Sequence, residues 1–369
     1  MATTSYLVYG GKTGWIGQKV LAMLQAQGIP ARAAEARLEK VEQVAAELDA
    51  VKPTHVLNCA GLTGRPNVDW CEDHKDEVVR VNVIGTLGLM DACEARGIHM
   101  TNFATGCVCR AHAVFRRFCA PADTLHTPPS FHPSLSPCAT LAPLFWPRPS
   151  ACLPRPASFF PNSCIYNYDA AHPVGGAPIP EEYPPNYVGS FYSLTKGMVD
   201  KLAPQYTRAL TLRLRMPISD DLSGRNFLTK IASYARVINV PNSVTILHDL
   251  LPIALSMAAR GVTGTFNFTN PGTVSHNECL ALYKEIIDPE FWYANFSEEE
   301  QNKILKAGRC NNNLDTAKLE AAAGCAVPHV KDSLRNVFLR MKENLIKEGA
   351  FPPPPRKGPK PTDPSLVVF

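Results

Sequence analysis

A glycine-rich turn near the start of the chain limits the folds that this sequence can adopt. Residues 6–9, Y-L-V-Y, form a short apolar run, and G-K-T-G-W-I-G follows at 11–17. An unbroken apolar run closed by glycines is typical of a strand buried on both faces of a parallel sheet. Helical periodicity then covers 15–27, and Gly28 is its predicted stop. A strand, a tight turn and a helix in this order predict the first unit of an α/β fold.

The same alternation continues along the chain. Short apolar runs predict further strands at 30–33, 55–58, 99–103 and 211–215. Amphipathic runs predict helices between them, at 38–49, 75–96 and 196–204. This pattern predicts an α/β fold with a Rossmann-type, doubly wound parallel sheet. Residues 216–348 are more mixed and end in two helices at 276–287 and 331–347, so we expect a smaller C-terminal α/β substrate domain there.

Proline usage separates two segments from the rest of the chain. Of 33 prolines in 369 residues, 11 lie in 108–164 and 7 in 351–369. The remainder has the roughly 5% proline of ordinary globular proteins. Segment 108–164 also holds five of the 12 cysteines, one acidic residue and no apolar periodicity. Long structureless insertions are unusual inside compact domains, so we interpret 108–164 as a translated retained intron or gene-model error; a lineage-specific loop is the alternative.

These boundaries divide the chain into four parts. A dinucleotide-binding Rossmann domain is predicted over 1–107 and 165–215, interrupted by the anomalous Pro/Cys-rich insertion at 108–164. Residues 216–348 form the predicted substrate-binding domain. The Pro-rich tail at 349–369 is expected to be disordered and to have no catalytic part.

Charge and motif content exclude several classes of function. The net charge is +4 and no run of Lys or Arg forms a nucleic-acid footprint. The sequence contains no run of 18 apolar residues, so no membrane span is predicted. Cys107 and Cys109 form C-x-C, but no second close pair completes a zinc site, so no metal is expected. The N-terminus has no signal-peptide pattern, and we expect a cytoplasmic protein with reduced thiols.

The glycine turn predicts a dinucleotide site. Three glycines allow a tight turn and let backbone N–H groups approach a pyrophosphate at a helix N-terminus. An acidic residue usually holds the ribose 2′-hydroxyl at the end of the second strand, but this strand carries Arg32, with Lys12 and Arg37 nearby. Cations suit a 2′-phosphate, which favours NADPH over NADH. The alternative is that these cations are solvated surface charges.

A second motif predicts reduction chemistry. Tyr192 and Lys196 form Y-x-x-x-K, and the spacing of four puts both side chains on one helix face. An ammonium beside a phenol lowers the pKa of a phenol, which can then act as a general acid toward a ketone reduced by hydride. Thr105, just after the strand at 99–103, is placed to hold the carbonyl oxygen.

Several longer segments of the sequence resemble those of one family. They are G-K-T-G-W-I-G (11–17), N-C-A-G (58–61), T-G-R-P-N-V-D-W-C-E (63–72), N-F-A-T-G-C (102–107), Y-D-A-A-H-P (168–173), G-S-F-Y-S-L-T-K (189–196), R-M-P-I-S (215–219), R-N-F-L-T-K-I (225–231) and N-F-T-N-P-G-T-V-S-H-N-E (267–278). With them the chain resembles the plant-type nucleotide-rhamnose synthase/epimerase-reductases of the extended short-chain dehydrogenase/reductase superfamily. The resemblance covers residues 5–107 and 165–345.

The resemblance implies a bifunctional reaction. A UDP- or dTDP-4-keto-6-deoxy-D-glucose would be epimerised at C3 and C5 and then reduced at C4 with NADPH to the L-rhamnose nucleotide. By motif, Thr105, Tyr192 and Lys196 match the reduction residues, and Cys107 and Lys230 match the proposed epimerisation pair. The related 4,6-dehydratases carry Asp-Glu after the catalytic Thr, whereas this chain has Gly-Cys, so a separate dehydratase must supply the keto sugar. Only the resemblance favours UDP over dTDP.

The resemblance also implies binding residues. For the cofactor these are Gly11, Lys12, Thr13, Gly14, Trp15, Ile16, Gly17, Arg37, Ala60, Gly61, Asn82, Tyr192 and Lys196. For the substrate they are Thr63, Arg65, Met216 and Asn226.

Other functions remain open at this stage. The chain could be a dTDP-4-dehydrorhamnose reductase that performs reduction only, or a non-catalytic NADP-binding regulatory subunit. An inactive product of the insertion is a third alternative. The superfamily often dimerises through helices, so a homodimer is one option for the assembly.

Overall fold

The computed structural model describes residues 4–64, 68–107, 165–304 and 310–353. The insertion at 108–164 and the tail beyond 353 therefore lie outside the described residues, and both interpretations stay predictions. Before the insertion the elements are β1 (Tyr6–Tyr9), α1 (Trp15–Ala26), β2 (Ala31–Ala33), α2 (Val41–Val51), β3 (His55–Asn58), α3 (Trp70–Asp73), α4 (Lys75–Val78), α5 (Thr86–Glu94) and β4 (His99–Cys107).

After the insertion, helices dominate the chain. The elements are α6 (Phe191–Leu202), β5 (Ala209–Arg215), α7 (Phe227–Ala232), β6 (Arg236–Val237), α8 (Leu247–Ala259), β7 (Gly264–Phe268), α9 (His276–Ile286), β8 (Ala294–Asn295), α10 (Glu298–Ile304), α11 (Ala317–Ala323) and α12 (Val330–Lys347). A short 3₁₀ turn, Ala203–Gln205, ends α6.

Within the part of the chain that the structure describes, six strands form one parallel sheet in the order β2-β1-β3-β4-β5-β7. The chain runs outward from β1 to β2 in one direction and from β3 to β7 in the other. In such sheets the crevice for ligands opens at the carboxyl ends of the strands where the order reverses, here between β1 and β3. The predicted doubly wound parallel sheet is confirmed.

The sheet is covered on both faces, which explains why its first strand is entirely apolar. Tyr6 and Val8 pack in a cluster with side chains of α1 and α8. Leu7 and Tyr9 pack on the opposite face with side chains of α2 and α5. Since alternate side chains of β1 enter two different apolar layers, the strand reads as a continuous apolar run.

Segment 216–348 has a core of its own and also contributes to the main sheet. Leu228 of α7, Leu280 of α9 and Phe338 of α12 belong to one buried cluster. Its strand β7, however, pairs with β5, with Phe266 opposite Leu212. The domain boundary at residue 215 stays a prediction.

The helix predicted at 75–96 departs from regular α geometry. Between α4 and α5 the chain forms a π-helical segment, Val79–Gly85. Such segments are rare and often lie at functional sites. Gly85 is needed at its end, because a Cβ there would come within 2.8 Å of the Leu38 Cβ. The strand predicted at 99–103 also continues to Cys107, since its last residues still pair with β5.

Candidate functional site

The glycine turn lies in the crevice where the sheet order reverses. Gly10 has a φ of +80°, a conformation that favours glycine, and a Cβ there would come within 2.9 Å of the Cys59 backbone. A Cβ on Gly14 or on Gly17 would collide with the Gly10 carbonyl oxygen. The glycines therefore let the turn fold tightly between β1, β3 and the start of α1.

The N-terminus of α1 suits an anion. Among the residues that the structure describes, no side chain caps this end of the helix, and its first turn carries no acidic residue. Backbone N–H groups and the helix dipole at such an end stabilise a phosphate group. Gln18 holds the turn in shape, because its Nε2 donates to the Lys12 carbonyl at 2.8 Å. The turn therefore fits a dinucleotide pyrophosphate.

The loop after β3 is fixed by two asparagines. Asn82, in the π-helical segment, accepts from the Leu62 N–H and donates to the Leu62 carbonyl, both at 2.8 Å. The Asn58 Oδ1 accepts from the Ala60 N–H at 3.1 Å. Two of the predicted cofactor residues, Ala60 and Asn82, therefore belong to one rigid wall of the crevice.

The predicted pair on α6 lies against this wall. Tyr192 is buried, and the Lys196 Nζ is 5.8 Å from the centroid of its ring. A Cβ on Gly61 would come within 3.3 Å of the same Nζ. Burial lowers the pKa of Lys196 to about 8, against a smaller opposing effect of Cys71. An ammonium at this place favours a phenolate, which eases proton transfer from the phenol.

Thr105 and Cys107 stand at the carboxyl end of β4. Their backbones pair with Leu214 and Arg215 of β5, and the register shifts between the two residues. An irregularity of this kind changes the direction in which successive side chains leave a strand. The side chains of Thr105 and Cys107 lie outside the described part of the structure, so their roles stay predictions.

Of the predicted substrate residues, Met216 has an unusual backbone. It follows β5, is buried and has a φ of +37°. Positive φ is uncommon for a residue with a side chain and clusters at functional sites. Thr63 is half-buried in the loop after β3. Arg65 lies outside the described residues.

Asn226 caps α7, the helix that carries Lys230. Its Oδ1 accepts from the Leu228 N–H at 3.2 Å, and its Nδ2 donates to the carbonyls of Ser219 and Asp221 at 2.7 and 2.6 Å. The amide therefore shapes the loop before α7, and its contact with substrate stays a prediction. Lys230 is half-buried and lies one turn further along the helix.

The cations near β2 are exposed and two of them are paired. Lys12 pairs with Glu35, and the Arg37 Nε lies 2.5 Å from a Glu39 carboxylate oxygen. Arg32 is exposed on β2 itself. Sequence reasoning overlooked Glu35, which follows the end of β2 by two residues. The choice between NADPH and NADH at this edge therefore depends on a mixture of both charge signs.

Sequence reasoning also missed His276, the first residue of α9. Its ring packs edge to face on Phe227 of α7, with centroids 5.2 Å apart. Burial, together with the charge of Arg215, lowers the pKa of His276 to about 4, so the imidazole is neutral. The residue lies in a segment that carried the family resemblance, but no spacing marked it out.

The described residues contain no helix with the length and apolarity to cross a membrane. In the same part of the chain, no group of three or more His, Cys, Asp and Glu side chains could hold a metal ion.

Comparisons with known proteins show which sequences this chain is similar to. The family model for the RmlD substrate binding domain matches residues 5–114. The chain is 44% identical over 346 residues to the bifunctional dTDP-4-dehydrorhamnose 3,5-epimerase/dTDP-4-dehydrorhamnose reductase of Arabidopsis thaliana, covering 93% of this chain and 95% of that protein. A trifunctional UDP-glucose 4,6-dehydratase/UDP-4-keto-6-deoxy-D-glucose 3,5-epimerase/UDP-4-keto-L-rhamnose-reductase of the same plant is 44% identical over 344 residues, but the chain spans only 41% of it.

Two solved structures share the fold of this chain. The L780 UDP-rhamnose synthase of Acanthamoeba polyphaga mimivirus is 32% identical, with a TM-score of 0.71 over 92% of this chain and 100% of that one. A dTDP-4-dehydrorhamnose reductase from Bacillus anthracis, in complex with NADP, has a TM-score of 0.62 at 13% identity over 92% of this chain and 99% of that one. The second likeness shows the fold alone.

Proposed function

The chain belongs to the family of nucleotide-rhamnose 3,5-epimerase/4-keto-reductases, and on that premise we propose that it converts UDP-4-keto-6-deoxy-D-glucose, or its dTDP analogue, to the L-rhamnose nucleotide with NADPH. The observation that carries the proposal is the position of Tyr192 and Lys196 beside the glycine crevice, with the Lys196 Nζ against Gly61. We favour UDP over dTDP because the mimivirus relative is a UDP-rhamnose synthase, whereas the bifunctional plant relative is named for dTDP sugars.

The epimerisation uses the acidity that the C4 ketone gives to C3 and C5. The Cys107 thiolate removes the proton from C3, the electron pair moves into an enolate, and the Lys230 ammonium returns a proton to the opposite face. The thiol then loses its proton and the amine regains one by exchange with water, and the same cycle inverts C5. Each inversion therefore needs groups on both faces of the sugar, and α7 and the end of β4 supply one each.

The reduction uses the groups on α6. NADPH supplies a hydride to C4 when it is bound. Tyr192 donates its proton to the C4 oxygen as the carbonyl becomes an alcohol, and Lys196 stabilises the phenolate that remains. Thr105 donates a hydrogen bond to the same oxygen and holds it in place. The chemistry ends with one hydride and one proton added across the carbonyl.

The cofactor would lie along the crevice. The turn Gly11 to Gly17 would hold its pyrophosphate, with Lys12 and Arg37 at the edge that meets the 2′-phosphate. Ala60, Gly61 and Asn82 would line its other side. The fit rests on the uncapped N-terminus of α1 and on the glycine positions that a Cβ would fill.

Two alternatives keep the same fold. A reduction-only enzyme would need Tyr192 and Lys196 but no base at Cys107, and a regulatory subunit would bind the cofactor without turnover. A 4,6-dehydratase must supply the keto sugar in either catalytic case, since Gly106 and Cys107 stand where dehydratases carry their acid pair. A cytoplasmic location and a homodimer stay predictions.

A deuterium experiment tests the proposal. The purified chain is mixed with UDP-4-keto-6-deoxy-glucose in D₂O, deuterium at C3 and C5 is followed by NMR, and NADPH is followed by its absorbance. Wild type is expected to exchange both positions and then to oxidise NADPH. Cys107→Ala should exchange about 100-fold or more slowly, whereas Cys325→Ala, an exposed cysteine, should match wild type.

Each contrary outcome selects an alternative. Exchange at the wild-type rate in Cys107→Ala would leave that residue without a role as the base. NADPH oxidation by wild type without any exchange would indicate a reductase that acts on sugar epimerised elsewhere. If wild type binds NADPH measurably but shows no deuterium exchange and no NADPH oxidation, the chain would be a non-catalytic regulatory subunit.

A further inference from the structure

Asp221 joins the glycine turn to the loop that leads into α7. Its Oδ2 accepts from the Trp15 indole Nε1–H at 2.9 Å and forms an ion pair with the Lys19 Nζ at 2.5 Å. Its Oδ1 accepts from the Ser223 N–H at 2.9 Å. Burial raises the pKa of this carboxyl, but the hydrogen bonds from Lys19 and Trp15 outweigh it, so the pKa is lowered and the group is charged at neutral pH.

The same residue is bonded to the start of α7. The Asp221 carbonyl accepts from the Asn226 Nδ2 at 2.6 Å, and Asn226 is the N-cap of the helix. The Lys230 N–H then donates to the Asn226 carbonyl at 3.1 Å, in the first turn. Four residues, Trp15, Asp221, Asn226 and Lys230, thus form a continuous path from the dinucleotide turn to the predicted proton donor.

The neighbouring carboxylate holds the loop on a different side. Asp220 faces α12, with its Oδ2 3.5 Å from the Arg340 Nε, and its carbonyl accepts from the Asn344 Nδ2 at 3.2 Å. The loop is therefore anchored twice, once to the C-terminal helix and once to the first turn of α1. Only the anchor made by Asp221 touches the dinucleotide turn.

The position of Trp15 makes this second anchor sensitive to occupancy. Trp15 is the first residue of α1, and it belongs to the turn that would close on the pyrophosphate. A phosphate bound at that helix end fixes the turn, and a fixed Trp15 in turn fixes the carboxylate that it and Lys19 share. Where two sites are coupled along such a path, the coupling free energy is the same in both directions.

We propose that Asp221 is a positioning residue that couples the occupancy of the dinucleotide turn to the placement of α7, so that bound cofactor raises the affinity for the nucleotide sugar and the rate of proton transfer at Lys230. This inference rests on the proposed function. It predicts that the epimerisation half-reaction, which consumes no hydride, is still stimulated by the oxidised cofactor.

The first test measures linkage between two ligands by calorimetry. UDP is titrated into the full chain with and without saturating NADP⁺. In wild type, NADP⁺ is expected to lower the Kd for UDP by about fivefold or more. In Asp221→Asn that factor should fall below about twofold. The Kd of UDP alone and the Kd of NADP⁺ alone should each change by less than about fivefold from wild type. Asp220→Asn removes one carboxylate from the same loop and should keep the wild-type factor.

The second test follows deuterium exchange at C3 and C5 with and without NADP⁺. Wild type and Asp220→Asn should exchange about fivefold faster with NADP⁺, and Asp221→Asn should not respond. Trp15→Phe breaks the same hydrogen bond from the other side, so it should also lose the response even if Asp221→Asn fails to fold.

The outcomes separate the two proposals. A wild type that neither exchanges deuterium nor binds UDP would overturn the proposed function. A wild type that turns over substrate but shows the same UDP affinity and exchange rate with and without NADP⁺ would overturn the coupling. Equal loss of coupling in Asp220→Asn and Asp221→Asn would also overturn it, because the path through Trp15 would then have no special part.

Discussion

Asp200 of α6 and Arg213 of β5 form a buried, bidentate ion pair, with Nε–Oδ1 and Nη2–Oδ2 distances of 2.8 and 2.7 Å. Both side chains are only 6% exposed. Arg213 also lies 5.2 Å from the centroid of the Tyr166 ring and donates to the Glu181 carbonyl. The helix that carries Tyr192 and Lys196 is therefore fastened to β5 by an ion pair that is buried from solvent.

Loss of one partner should be costly. Asp200→Ala is expected to lower the free energy of unfolding by about 3 to 5 kcal/mol, because the Arg213 charge would stay buried without its partner. Urea denaturation followed by circular dichroism measures the change. Glu285→Ala removes the exposed pair with Arg335 and should leave the denaturation midpoint in place. Equal midpoints for Asp200→Ala and wild type would contradict the anchoring role.

The pH profile of kcat/KM for the reduction should have a basic limb set by Lys196. Because burial lowers the pKa of Lys196 to about 8, the ammonium is lost as the pH rises through that value, and kcat/KM for NADPH oxidation should fall above it. Lys196→Arg keeps its charge at higher pH, so its limb should move upward although the rate is lower. Lys201→Arg, exposed on the same helix, is the control. A limb that stays near pH 8 in Lys196→Arg belongs to another group.

Cofactor preference should respond to Glu35. This exposed carboxylate pairs with Lys12 at the edge where a 2′-phosphate would lie, so it both repels the phosphate and occupies the cation. Glu35→Gln is expected to raise the ratio of kcat/KM for NADPH to that for NADH by about fivefold. Glu42→Gln, exposed on α2, should leave the ratio unchanged. A fall of the ratio in Glu35→Gln would mean that Glu35 helps the 2′-phosphate indirectly.

Two histidines should make the fold sensitive to acid. The His55 ring stacks on Tyr6 and lies tilted against His99, with centroid distances of 4.9 and 5.4 Å. Burial lowers the pKa of both histidines, and electrostatic repulsion lowers it further, from protonated His99 for His55 and from Arg208 for His99. The unfolded chain, in which the pKa is about 6.5, therefore takes up protons first as the pH falls.

Stability present above about pH 6.5 should thus be lost as the pH drops below that value. His55→Phe keeps the stack without a titrating group and should flatten the dependence between about pH 7 and 5. Denaturation at several pH values measures the slope. His248→Gln, an exposed histidine, should keep the wild-type slope, and a slope that His55→Phe does not change would assign the acid sensitivity elsewhere.

Local sequence patterns were sufficient to predict most strands of the sheet. The run 6–9, the glycine turn and the pair Tyr192 and Lys196 all depend on residues close in sequence, and the structure places each where the periodicity predicts. Arg32 was predicted on the second strand and lies on β2, but the sequence pattern did not indicate that Glu35, just after that strand, pairs with Lys12. A difference of three residues at a strand end is finer than composition and periodicity can define.

Other features depend on residues that are distant in sequence, so no periodic pattern in the sequence predicts them. Trp15 and Asp221 are 206 residues apart, so neither motif points to the other. The π-helical segment Val79–Gly85 keeps an apolar pattern that a regular helix would also show, and it is stabilised by the Asn82 contacts with Leu62. The sequence pattern also gave no sign of the state of His276, because its ring is neutral owing to burial and to the charge of Arg215.

The pairing of β7 with β5 affects how this chain can be divided in the laboratory. A fragment that ends at residue 215 would leave the whole length of β5 as an open sheet edge, and such edges recruit other chains and aggregate. A chimera with a relative must therefore keep α8 and β7 together with the N-terminal strands, even though they follow 216 in sequence. The practical unit for expression or recombination is set by hydrogen bonds between strands, and a cut in the linear order of the motifs would break it.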